Sequence, residues 1–133
     1  MKLNPILLSV LLICLFITSS AQHSETVSLG RIKMQFTLDK EGAPAYEVFY
    51  DNKPVILPSR LGFKLNVDSL LYNGFQLTGT EKKSSDQIWQ TVWGETKDIR
   101  NHYEELNIHL QSGHTPAIRL NLIFRVFDDG VGF

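Results

Sequence analysis

Hydrophobic and polar residues alternate with a period of two along most of this chain. Ile32, Met34, Phe36 and Leu38 are interleaved with Arg31, Lys33, Gln35 and Thr37, a pattern that predicts a strand with one dry and one wet face. Glu41, Gly42, Ala43 and Pro44 make a turn into a second β-rich segment, Ala45 to Tyr50. Asp51, Asn52 and Lys53 are turn formers ahead of Val55, Ile56 and Leu57, where Pro54 and Pro58 confine a short strand to an edge or a bend. Leu61, Phe63 and Leu65 alternate again, Asn73-Gly74 marks a turn, and Phe75 and Leu77 lead into a polar stretch from Lys82 to Gln87. Gly94 to Asn101 has mixed charge and no clear period, and reads as a helical turn or a long ordered loop. Beyond it Leu106, Ile108 and Leu110 alternate with polar neighbours, and Ser112 to Pro116 form a loop.

The next strand sets Ile118, Leu120, Leu122, Phe124 and Val126 on one face and Arg119, Asn121, Ile123, Arg125 and Phe127 on the other. Both faces carry apolar groups, as in a central strand of a sandwich. The fold class expected is therefore all-β, an antiparallel β-sandwich. Asp129-Gly130 directly after so long a strand is a strong hairpin signal, yet only Val131, Gly132 and Phe133 follow it. The pattern predicts a sandwich incomplete at its C-terminus, whose last long strand has an open edge prone to pairing with other chains.

The first 21 residues have a different character. Lys2 precedes an apolar run from Pro5 to Ile17, then Thr18, Ser19, Ser20 and Ala21, the order of an export signal with small residues at the peptidase subsites and cleavage after Ala21. The run, about 13 residues, falls short of the ~20 that span a bilayer, so a membrane anchor is disfavoured. Cys14 is followed by Leu15, Phe16 and Ile17 and fits a filler of the signal core better than a lipidation site. The expected location is periplasmic or secreted, with no membrane association after cleavage, and residues 22–133 constitute one partial domain.

Composition then narrows the chemistry. At 43% hydrophobic and 20% charged, the chain is neither disordered nor collagen-like. Loss of the signal removes the single cysteine and leaves no disulfide and no thiolate zinc site. His23, His102, His109 and His114 form no i, i+4 pair or compact cluster, which argues against a metal. A net charge of −1 with scattered Lys and Arg gives no grip on nucleic acid.

Trp89 and Trp93 could stack on sugar rings or fill a core or a domain interface. Glu95, Arg100, Asn101 and His102 form the one dense polar cluster, either an ion-paired loop between domains or a substrate contact. Glu104 and Glu105 are adjacent, so on a strand they point to opposite faces and cannot act as an acid–base pair across one bond. Asp128 and Asp129 have the place of turn residues.

The stretch from Trp89 through Trp93-Gly94-Glu95 and Arg100-Asn101-His102-Tyr103 to Leu106 resembles the signature region in the N-terminal domain of glycoside hydrolase family 97. Phe124 to Phe133 resembles the strand and turn that follow it, and the likeness extends back through Gly42 to Tyr46 and Pro58 to Phe63. These motifs are modest singly and strong when collinear over nearly the whole mature chain. The resemblance is to exported Bacteroidetes α-glucosidases and their α-galactosidase relatives. It implies an N-terminal part of a larger β-supersandwich, followed by a (β/α)8 catalytic barrel of the same polypeptide that acts on an α-linked oligosaccharide. Calcium belongs to the resembled full-length enzyme; its ligands and the catalytic carboxylates lie outside these 133 positions, and no cofactor is assigned to this chain. A free-standing periplasmic carbohydrate-binding or adaptor module, with Trp89 and Trp93 as its platform, is the alternative.

Overall fold

The computed structural model describes residues 22–64, 70–113 and 115–133; the export segment, Cys14, Leu65 and His114 lie outside them. Strands β1 (His23–Leu29), β2 (Ile32–Leu38), β3 (Pro44–Tyr50) and β4 (Lys53–Arg60) form one antiparallel sheet in the order β1-β2-β3-β4. A two-residue ladder, β5 (Phe63–Lys64) with β6 (Leu70–Leu71), follows. Strands β7 (Phe75–Gln90), β8 (Asp98–Ser112), β9 (Arg119–Phe127) and β10 (Val131–Gly132) make the second sheet, in the order β10-β9-β8-β7. The all-β antiparallel sandwich expected from the alternation is the fold observed.

The core is the sum of the predicted dry faces. Met34 and Phe36 from β2 meet Leu106 and Ile108 from β8 and Phe124 and Val126 from β9, all without solvent exposure. The Phe36 and Phe124 rings pack tilted at 6.1 Å between centroids, a favourable aromatic geometry. Each such side chain contributes about 1.5–3 kcal/mol by leaving water.

Turn chemistry fixes the registers. Tyr50 pairs with Lys53 across Asp51 and Asn52, whose φ values of 48° and 61° are those of a type I′ hairpin. Arg31 locks that turn to the preceding one: its Nε donates to Asp51 Oδ1 at 2.8 Å, and its carbonyl accepts from the Asp51 amide at 2.9 Å. Gly42, at φ 71°, lies so close to the backbone of Phe75 that a Cβ would overlap the Phe75 N and O. There the Phe75 amide donates to the Gly42 carbonyl at 3.0 Å and the Gly74 amide to that of Glu41 at 2.8 Å, stitching the two sheets together.

Several segments depart from the expectation. β1 lies in a stretch whose apolar signal is only Val27 and Leu29; its half-buried Glu25 lies 3.6 Å from Lys82 Nζ. β4 is longer than Val55 to Leu57 and takes up two register shifts, which an edge strand tolerates along with its prolines. The polar run Lys82 to Gln87 is part of the 16-residue β7, and Asp98 to Asn101 already belong to β8. Gly94 to Lys97 are the expected loop, whereas Asp98 to Asn101 pair with β7, held by backbone bonds and cross-strand polar contacts without burial. The chain does return after Asp129-Gly130: the Phe127 amide donates to the Gly130 carbonyl at 2.8 Å, and Val131 and Gly132 pair with Val126 and Arg125. Among the described residues, the rest of that β9 edge has no strand beside it.

Removing the Phe124 ring should cost about 3–5 kcal/mol. Gly42→Ala should cost about 2 kcal/mol or more through strain at positive φ and overlap with Phe75. Trp93→Ala should stay within about 0.5 kcal/mol. Urea unfolding of the three variants, followed by circular dichroism, checks this order.

Candidate functional site

The candidate residues cluster on one projection. β9 last pairs with β8 at Phe127 opposite Tyr103, after which β7 and β8 continue as a two-stranded arm from Asp86 opposite His102 to Gln90 opposite Asp98. At about 3.4 Å per residue the paired part is roughly 15 Å long. Residues 91–97 close its tip. Thr91 organises that tip: its amide donates to the Lys97 carbonyl at 3.0 Å and its hydroxyl to the Thr96 carbonyl at 2.8 Å. Gln90 Nε2 donates to Asp98 Oδ1 at 2.8 Å just beneath.

Strand alternation separates residues that the sequence places side by side. Arg100 and His102 lie on the face that continues the core side of β8, together with Asp86 and Ile88 of β7. Arg100 Nε and Nη2 each donate to a different Asp86 oxygen at 2.8 Å, a bidentate pair that holds the Asp86 carboxyl below its ordinary range. His102 Nδ1 lies 3.1 Å from Asp128 Oδ2, so Asp128 reaches across strands rather than serving only its own turn. Asn101 is on the opposite face, with Trp89 opposite Ile99. Glu95 and Trp93 belong to the tip. Trp89 is 52% exposed and Trp93 90%, so neither fills the core of this sandwich. The six candidates share an arm but do not converge on one point.

A second polar cluster escaped the sequence reading. On the outer face of β8 and β9, the buried Glu105 carboxylate accepts from Arg125 Nε at 2.7 Å and from Asn107 Nδ2 at 2.8 Å. These hydrogen bonds, that of Arg125 foremost, hold the Glu105 carboxyl below its usual value. The Arg125 guanidinium also lies 4.7 Å from the Tyr103 ring centre, and Tyr103 packs on Phe127. The signal was present, in that Glu105 and Arg125 occupy wet-face positions of adjacent strands, but pairing them needs the β8–β9 register.

Glu104 and Glu105 do diverge, Glu104 accepting from the Ser84 hydroxyl at 2.8 Å. Asp86, Glu104, Glu105 and Asp128 thus each hold a partner within this domain. Among the described residues no three His, Cys, Asp or Glu side chains gather as metal ligands.

Comparison with known proteins agrees with this geometry. The model of the family described as Glycosyl-hydrolase 97 N-terminal matches residues 29–133. A retaining alpha-galactosidase of Bacteroides thetaiotaomicron is 24% identical over 130 residues, which cover 95% of this chain and 18% of that protein. A glycoside hydrolase family 97 enzyme from Pseudoalteromonas sp. strain K8, solved in complex with panose, superposes with a TM-score of 0.75 at 28% identity. The match covers 80% of this chain and 16% of that one. A beta-arabinopyranosidase superposes at 0.65 with 27% identity, over 76% of this chain and 16% of its own. The chain spans less than a fifth of the length of these relatives.

The Glu105 cluster sets a pH dependence. Because folding lowers the Glu105 pKa, its contribution is fully present above the ordinary glutamate value of 4.5 and is lost as pH falls through the lower folded value. Arg125→Met should cost about 2 kcal/mol at neutral pH by leaving a buried carboxylate short of a donor. The same substitution should flatten the fall in melting temperature below pH 4.5, which thermal unfolding across acidic pH measures.

Proposed function

This chain belongs to the glycosyl-hydrolase 97 N-terminal family, and from that membership we propose that it is the N-terminal β-sandwich of an exported α-glycosidase. In this reading it supports a catalytic barrel of the same polypeptide and walls one side of its carbohydrate site. Carbohydrate contact is then shared between the two domains, and the substrate is an α-linked oligosaccharide. The observation that carries the proposal is the family match over residues 29–133, in a chain that covers only 16% of a family enzyme solved with panose.

Among the described residues no three His, Cys, Asp or Glu side chains gather to hold the calcium of the resembled enzymes. Asp86 is committed to Arg100, Asp128 to His102 and Glu105 to Arg125, and these carboxylates do not converge, so no step is assigned to a metal in this domain. Export rests on the sequence of residues 1–21 alone, and places the enzyme in the periplasm or outside the cell.

Purified residues 22–133 should release no glucose from panose and no nitrophenol from aryl α-glucosides or α-galactosides, with or without calcium; turnover by a preparation free of host glycosidase refutes the supporting role. In a bacterial host the exported protein should begin at Gln22. Recovery of a membrane fraction retaining Met1 refutes the export reading.

A further inference from the structure

A two-stranded ribbon is at best marginally stable in water by itself, yet the β7–β8 arm carries large apolar groups out to its end. Ile88 is 68% exposed, Trp89 52%, Val92 97% and Trp93 90%. The arm is nonetheless organised: the Asp86–Arg100 pair clamps its strands, and the Thr91 bonds to Thr96 and Lys97 shape its tip. A preorganised projection that ends in tryptophan loses little entropy on binding and has the composition of an interface anchor.

We propose that the arm is a docking element, which seats Val92 and Trp93 in an apolar cleft on another domain of the same, longer polypeptide. The proposal rests on the reading of this chain as one part of a larger enzyme. Family enzymes of which this chain covers 16% place further protein on the same polypeptide, and a tethered domain is the partner present at the highest effective concentration. The chemistry of the tip favours protein over sugar. Ile88 and Val92 offer nothing to a hydroxyl, and several of the arm's polar groups are spent on one another: Asp86 on Arg100, Gln90 on Asp98, Thr91 on the Thr96 carbonyl. A sugar site needs polar groups aimed at the ligand beside its aromatic platform. The partner cleft should be apolar at its centre, with a polar rim facing Glu95 and Lys97.

The test compares hydroxyl-radical oxidation of Trp93 in this chain and in the complete gene product. Oxidation should be about tenfold slower in the complete product, as for an anchor shielded at the centre of an interface. Val92→Ser combined with Trp93→Ser should leave the melting temperature of this chain unchanged, while restoring oxidation of Trp89 and separating the domains by small-angle scattering in the complete product. Equal oxidation of Trp93 in both forms overturns the proposal. So does protection of Trp93 in this chain by panose, which marks a sugar platform, or by raising the concentration of this chain, which marks self-association. An accessible Trp93 in a multidomain product refutes the arm alone; a gene product without a further domain refutes the underlying reading as well.

Discussion

The structure depends on one layer of side chains, the contact of Met34 and Phe36 with Leu106, Ile108, Phe124 and Val126. These residues come from β2, β8 and β9, so a single dry layer decides which faces of the two sheets turn inward. A slip of one residue in any of these strands would exchange a buried ring or aliphatic chain for a polar or charged neighbour: Phe36 for Gln35, or Phe124 for Arg125. Everything on the outer face takes its position from that choice. Glu105 meets Arg125 because Leu106 and Phe124 are held opposite each other on the inside.

The parts of the fold that could be read in advance are those where burial and local pattern coincide. β2 and the centre of β8 carry strict alternation, β9 a looser one and β3 a dense β-rich composition, and Asp51-Asn52 and Asp129-Gly130 carry hairpin chemistry. What stayed hidden was held by something other than burial. β1 has one buried apolar residue, Val27, and exists because β2 offers it a backbone edge. β7 beyond Leu77 is first the edge strand of its sheet and then, from Asp86, one side of the arm, and it is sustained by Ser84–Glu104, Asp86–Arg100 and Gln90–Asp98 contacts, none of which leaves a trace in hydropathy.

The candidate site divides along the same line. Sequence proximity brought together Trp89, Trp93, Glu95, Arg100, Asn101 and His102, and all six do lie on the β7–β8 hairpin. Their division between two faces and a tip follows from register, and so do the partners that neutralise them, since Asp86 and Asp128 are 14 and 26 residues from the groups they meet. The family likeness recognised the segment as characteristic without stating its shape. The structure supplies the shape: an arm whose charged side is internally satisfied and whose apolar end is not.

Both main sheets are built without a crossover. β1 to β4 and β7 to β10 each pair only with the strand before or after them in the chain, so each sheet is a meander whose turns close over a few residues, apart from the longer tip of the arm. Closing short loops costs little entropy, and local pairing is the topological condition for rapid assembly even in an all-β chain. The distant step is the meeting of the meanders, where the turn around Gly42 binds the backbone at Gly74 and Phe75. The sandwich is thus two locally paired halves that meet through the shared core layer and through the backbone bonds around Gly42.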